Sequence, residues 1–71
     1  MNEYSRILLE EYCHNHNSAT SRRLQKLLEK SYDIGFEITD SDAIFLEKMI
    51  SQEKDERLKE ALMELDCFLC G

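Results

Sequence analysis

Proline and tryptophan are absent from this 71-residue sequence, and glycine occurs only at Gly35 and Gly71. Their scarcity removes the usual punctuation of β-sandwiches and long loops. Helices joined by short polar turns remain. No apolar run approaches the roughly 18 consecutive residues that a membrane span needs, and residues 1–6 lack the basic-then-apolar order of a secretory signal. Cysteine is sparse and odd in number, at Cys13, Cys67 and Cys70, which suits a reducing compartment better than a disulfide scaffold. A soluble cytoplasmic chain is expected.

Positive charge is also scarce. Nine basic residues face 15 acidic ones, a net charge of −6, and the imbalance is local. Residues 1–36 carry five of each sign, whereas residues 37–71 carry four basic and ten acidic groups. Such a surface repels phosphate backbones and anionic membranes and favours basic protein partners, although exposed carboxylates also serve plain solubility. The length permits one domain, residues 1–71, and only a small core.

What is present is helical periodicity. Tyr4, Ile7, Leu8 and Tyr12 recur at helical spacing behind Asn2, a capping residue, and the polar run at residues 13–17 ends this first helix. Ser18 or Thr20 caps a second helix, with Leu24, Leu27 and Leu28 on one side and Arg22, Arg23, Lys26 and Lys30 on the other. Gly35 is its expected stop, through a left-handed cap. Ile34, Phe36 and Ile38 then alternate. A lone strand has no partner in the chain, so these side chains are expected to tuck under the helices.

Thr39, Asp40 or Ser41 caps a third helix with the stripe Phe45, Leu46, Met49 and Ile50, and a fourth stripe follows at Leu58, Ala61, Leu62, Leu65 and Leu69. Between them residues 51–57 are polar, and the stripe slips by one position. Either a helix of about 43 Å, at 1.5 Å per residue, runs through a stutter, or it breaks near residues 52–56 with Asp55 capping the next segment. The fold class is therefore all-α, an antiparallel bundle of three to four helices.

Chemistry-bearing motifs are few. Cys67 and Cys70 form a Cys-x-x-Cys pair, the unit of thiol redox centres and of half a zinc site. Redox centres place the attacking thiol at a helix N-terminus, whereas these thiols lie at a helix C-terminus beside Glu64 and Asp66, where each local charge opposes a thiolate. A zinc-stabilised module using Cys13 and His14 or His16 with Cys67 and Cys70 requires the C-terminal region to be one helix, because four separate helices put the two pairs at opposite poles. Otherwise the histidines belong to a solvated turn. No phosphate loop or nucleophile elbow is present, and the chain has little room for a ligand pocket of about 300 Å³. No enzyme and no cofactor is expected.

Direct nucleic-acid binding rests on the basic stripe of the second helix alone, and Asp40 and Asp42 would aim carboxylates at DNA, so the plainer expectation is that the stripe is solvated or pairs with the acidic half. Partner binding has broader support. Met63, Cys67 and Cys70 cluster opposite the Leu58, Leu62 and Leu65 stripe, and Ile44 falls opposite Phe45, Leu46 and Met49. One core cannot cover both sides, although residues in the first and last turns also fray into solvent. The resulting expectation is a non-catalytic acidic regulator, homodimeric through its last helix, that blocks another protein, such as a nucleic-acid-binding regulator. Ile44, Met63, Cys67 and Phe68 are the expected apolar anchors, and Asp40, Asp42, Glu56, Glu60 and Glu64 the steering charges.

Overall fold

A computed structural model describes residues 1–33 and 35–70. They form four α-helices and, among the described residues, no strand: α1 (Glu3–Asn15), α2 (Ala19–Lys30), α3 (Asp40–Gln52) and α4 (Glu56–Cys70). The body measures 29 × 23 × 21 Å. α1 packs against α2 and α4, and α3 packs against α4. The α1–α2 and α3–α4 connections are short enough to force hairpin pairing.

Each helix start is written locally. The Asn2 side chain accepts from the Tyr4 amide at 2.8 Å. Ser18 and Ser21 close a reciprocal capping box, each hydroxyl accepting from the other's amide. Thr39 and Asp42 form a second one. These caps satisfy amides that the first helical turn leaves without intrahelical partners.

The C-terminal stripe breaks rather than stutters. Glu53 ends α3 in extended backbone, and its carboxylate accepts from the Lys54 and Asp55 amides at 3.2 and 3.1 Å. Asp55 then accepts from the Arg57 and Leu58 amides at 3.0 and 3.3 Å. Two acidic side chains thus turn the chain without glycine or proline.

Two local expectations are corrected. α2 ends at Lys30, ahead of Gly35, because the backbone tightens there: Ser31, Tyr32 and Asp33 amides reach back three residues, and the Ser31 hydroxyl donates to the Leu28 carbonyl. Gly35, at φ +80°, turns the connection that follows, a conformation that costs a side-chain-bearing residue about 1 kcal/mol. Phe36 and Ile38 do tuck against the core; Ile34 lies outside the described residues. In α1 the inward face is Leu9 with Leu8 and Tyr12, while Tyr4 and Ile7 face solvent. Leu9, absent from the periodic reading, is completely buried. The apolar residues of α1 span a broad arc, and only packing decides which part turns inward.

The core is almost entirely leucine: Leu9; Leu24, Leu27 and Leu28; Leu46; and Leu62, Leu65 and Leu69 beside Ala61. Stripes read from α2, α3 and α4 all point into it. Leu65→Ala should lower the urea-unfolding free energy by about 2–5 kcal/mol, a large share of what so small a domain has. Asp55→Ala should cost about 1 kcal/mol through the lost cap, and Met63→Ala less than about 0.5 kcal/mol, since its side chain is outside.

Candidate partner-binding surface

Four helices with one inward stripe each leave other apolar groups uncovered. Ile44 is 62% exposed, Met63 48% and Phe68 44%, and Cys67 is exposed as well. Ile44 lines a shallow depression on the outer face of α3 together with Glu47, Lys48 and Ser51. On α4, Glu56, Glu60, Met63 and Cys67 follow at spacings of four, three and four, which aligns them along one outer stripe. Phe68 flanks that stripe and stacks on Phe36 at 6.0 Å between centroids, so one of its faces is occupied. Tyr4, Ile7 and Tyr32 are further exposed apolar groups that helical spacing did not mark as outward. For Tyr4 and Ile7 the exposure follows from the packing of α1, which no local pattern encodes.

The acids expected to steer a partner divide into two sets. Asp40, Glu56 and Glu60 are exposed and take no part in the ion pairs of the described residues. Asp42 and Glu64 are structural. Asp42 lies 3.3 Å from the Arg23 guanidinium and 3.4 Å from Lys30 Nζ, tying α2 to α3. Arg23 also donates to the Ser41 hydroxyl at 2.8 Å and lies over the Phe45 ring, 4.6 Å from its centre. Burial pushes the Asp42 carboxyl up, but Thr39, Arg23 and Lys30 outweigh it and hold the group below the ordinary carboxylate range.

Glu64 accepts from the Ser5 hydroxyl and the Asn2 amide, tying α4 to the start of α1. The Ser5 hydroxyl, the Asn2 amide and the nearby N-terminal ammonium lower its pKa against the opposing effect of burial. Ser5 is itself buried. Its role was invisible in the sequence because a serine in a helix carries no signal of a partner 59 residues away.

The basic stripe of α2 is likewise half consumed. Arg23 and Lys30 serve Asp42, and Arg22 donates to the Asn17 side chain at 3.1 Å. Both alternatives expected for the stripe are thus present, Arg23 and Lys30 pairing with the acidic half while Arg22 and Lys26 are exposed.

Cys13 is half-buried, Cys67 and Cys70 are exposed, and all are free. Burial, with Glu10, pushes the Cys13 thiol up; burial, a hydrogen bond to Asp66, and the Asp66 and Asp42 charges do the same at Cys70. Both therefore disfavour thiolate chemistry. Among the described residues, no three Cys, His, Asp or Glu side chains converge as metal ligands. His16 instead stacks on Tyr12 at 4.2 Å, with its Nδ1 2.9 Å from the Tyr12 carbonyl at the end of α1.

Open clefts reach the volume of a small ligand, contrary to the expectation from chain length. One of about 310 Å³ is bounded by Glu10, Cys13, His14, Gln25 and Leu28, and another of about 360 Å³ by Thr20, Phe45, Lys48, Met49 and Gln52. Both open broadly to solvent, unlike pockets that enclose most of a ligand. No helix among the described residues is long and apolar enough to cross a membrane. No protein-family model matches the chain, nor does any curated protein or solved structure.

Asp42→Ala removes the reciprocal half of the α3 capping box and two ion pairs, so thermal unfolding should show a loss of about 1–2 kcal/mol, with Arg23→Ala costing less. The two lowered carboxyls also set a pH dependence. Their contribution is complete above the unfolded pKa values of about 3.9 for Asp and 4.3 for Glu, and it disappears as pH falls through the lower folded values. Acid titration followed by circular dichroism should therefore destabilise the native chain more than Asp42→Ala over that range.

Proposed function

We propose that this chain is a small acidic regulatory protein that works without catalysis, by docking on another protein inside the cell and blocking or modulating it. One observation carries the reading: large apolar side chains stand on the outer faces of α3 and α4, at Ile44, Met63 and Phe68, in a molecule whose C-terminal half is strongly acidic. Desolvating such side chains stabilises association, and the surrounding carboxylates accelerate encounter with a basic surface. A nucleic-acid-binding regulator offers a surface of that kind, and covering it would exclude DNA or RNA by occupancy. Asp40, Glu56 and Glu60 are the steering charges on this reading, since Asp42 and Glu64 hold the fold together.

Affinity capture from a native lysate, with light scattering to give the subunit number, tests the proposal. A protein retained by the native chain should be lost with the double substitution Ile44→Ser and Met63→Ser, while the melting temperature stays close to native. Charge reversal at Asp40, Glu56 and Glu60 should slow association severalfold at low salt, and added salt should shrink the difference. Retention by the double variant together with unaltered association rates would remove the proposal's basis.

A further inference from the structure

Glu56, Glu60 and Glu64 follow one another at intervals of four along α4, an arrangement in which like charges repel by a few tenths of a kcal/mol per pair. The structure shows how one member is answered: Glu64 receives the Asn2 amide and the Ser5 hydroxyl. Glu56 and Glu60 form no ion pair among the described residues and are exposed. Directly beyond them on the same outer stripe stand Met63 and Cys67, also exposed. No lysine or arginine lies within that stripe; Lys59 flanks it on one side and Arg57 on the other, where Arg57 donates to the Tyr4 hydroxyl at 3.4 Å, and among the described residues neither is ion-paired to Glu56 or Glu60.

We infer that the outer face of α4 is a docking track for a basic amphipathic helix of a partner protein, whose cations answer Glu56 and Glu60 while its apolar side chains cover Met63 and Cys67. This inference rests on the partner-binding reading above and specifies both the face and the partner's chemistry. From Glu56 to Cys67 the track runs about 16 Å at the helical rise, so three turns of a partner helix span it. Its cations must come at a spacing of three or four at one end, with the apolar side chains on the same face at the other. Charge selects this occupant over a second copy docked through its own α4, which brings the same two glutamates and no cation within the stripe.

The probe is a fluorescein-labelled helical peptide of about 16 residues, roughly 24 Å long, with two lysines four apart followed on one face by leucines at spacings of three and four. A lysine-to-glutamate version is the control. Fluorescence anisotropy should show saturable binding of the basic peptide alone. Met63→Asp and the pair Glu56→Lys with Glu60→Lys should each weaken it about tenfold, or about 1.4 kcal/mol. The pair Glu11→Lys with Glu29→Lys makes the same charge change at exposed positions on α1 and α2 and should alter it less than about twofold. Alkylation of Cys67 should slow in the complex, while that of Cys13 should not change.

Absence of saturable binding would overturn the inference, as would equal losses in the two charge-reversed pairs, which would mean net charge alone. It would also fail if light scattering found a dimer that Met63→Asp dissolves, because a second copy would then cover the face. A lysate partner lost with Ile44→Ser but retained by Met63→Asp would defeat this inference and leave the broader proposal standing.

Discussion

The fold depends on a leucine core that is narrow relative to the apolar content of the chain. Each helix contributes one inward stripe, and the buried apolar side chains among the described residues are eight leucines and an alanine. Leucine loses little rotamer freedom in a helix and packs well from it, so this composition forms the core with few β-branched or aromatic residues. A domain of this size nevertheless has a high ratio of surface to volume. The core closes before every methionine, tyrosine and isoleucine is inside it. The exposed Ile44 and Met63 follow from the same geometry that buries Leu46 and Leu62, because each pair shares a helix on different faces.

Carboxylates supply what the core lacks in reach. Asp42 connects α3 to two separate turns of α2 through Arg23 and Lys30, and Glu64 connects α4 to the first residues of α1. Glu53 and Asp55 turn the chain between α3 and α4 by accepting backbone amides. The acidity of the C-terminal half is thus partly architectural. Surface ion pairs contribute little each, but Asp42 also completes the capping box that Thr39 opens. That convergence gives one side chain leverage over the relative placement of two helices whose backbones have little direct contact.

Features with a local cause were readable in the sequence. Asn2, Ser18, Thr39 and Asp55 stand at helix starts because their side chains bond amides two or three residues on, and the stripe slip after Ile50 marks a real break. The inner stripes of α2, α3 and α4 were likewise legible from spacing. The orientation of α1 was not, since Ile7 and Leu9 belong to one broad apolar arc and the choice between them depends only on what the other helices present. Here Ile7 went outward and Leu9 inward. Glu64 and Asp42 read as free charges because nothing local distinguishes a carboxylate facing solvent from one meeting Ser5 or Arg23 across the fold. The exposure of Ile44, Met63 and Cys67 was legible from helical phase. The intramolecular partners of Asp42 and Glu64, which depend on tertiary placement, were not.

That division bears on what the acidic surface can do. A carboxylate committed to a cap or an intramolecular pair has its charge largely answered, and its field at a distance is correspondingly weakened. Glu56 and Glu60 have no such ion pair among the described residues, and they lie on the helix whose opposite face supplies Ala61, Leu62, Leu65 and Leu69 to the core. A packed inner face holds the outer one in place, so a partner meeting α4 encounters charge and apolar surface already positioned and loses less entropy on docking than it would with an unstructured segment. The ordering of this helix is completed on folding, by the same leucines that leave no interior space for Met63.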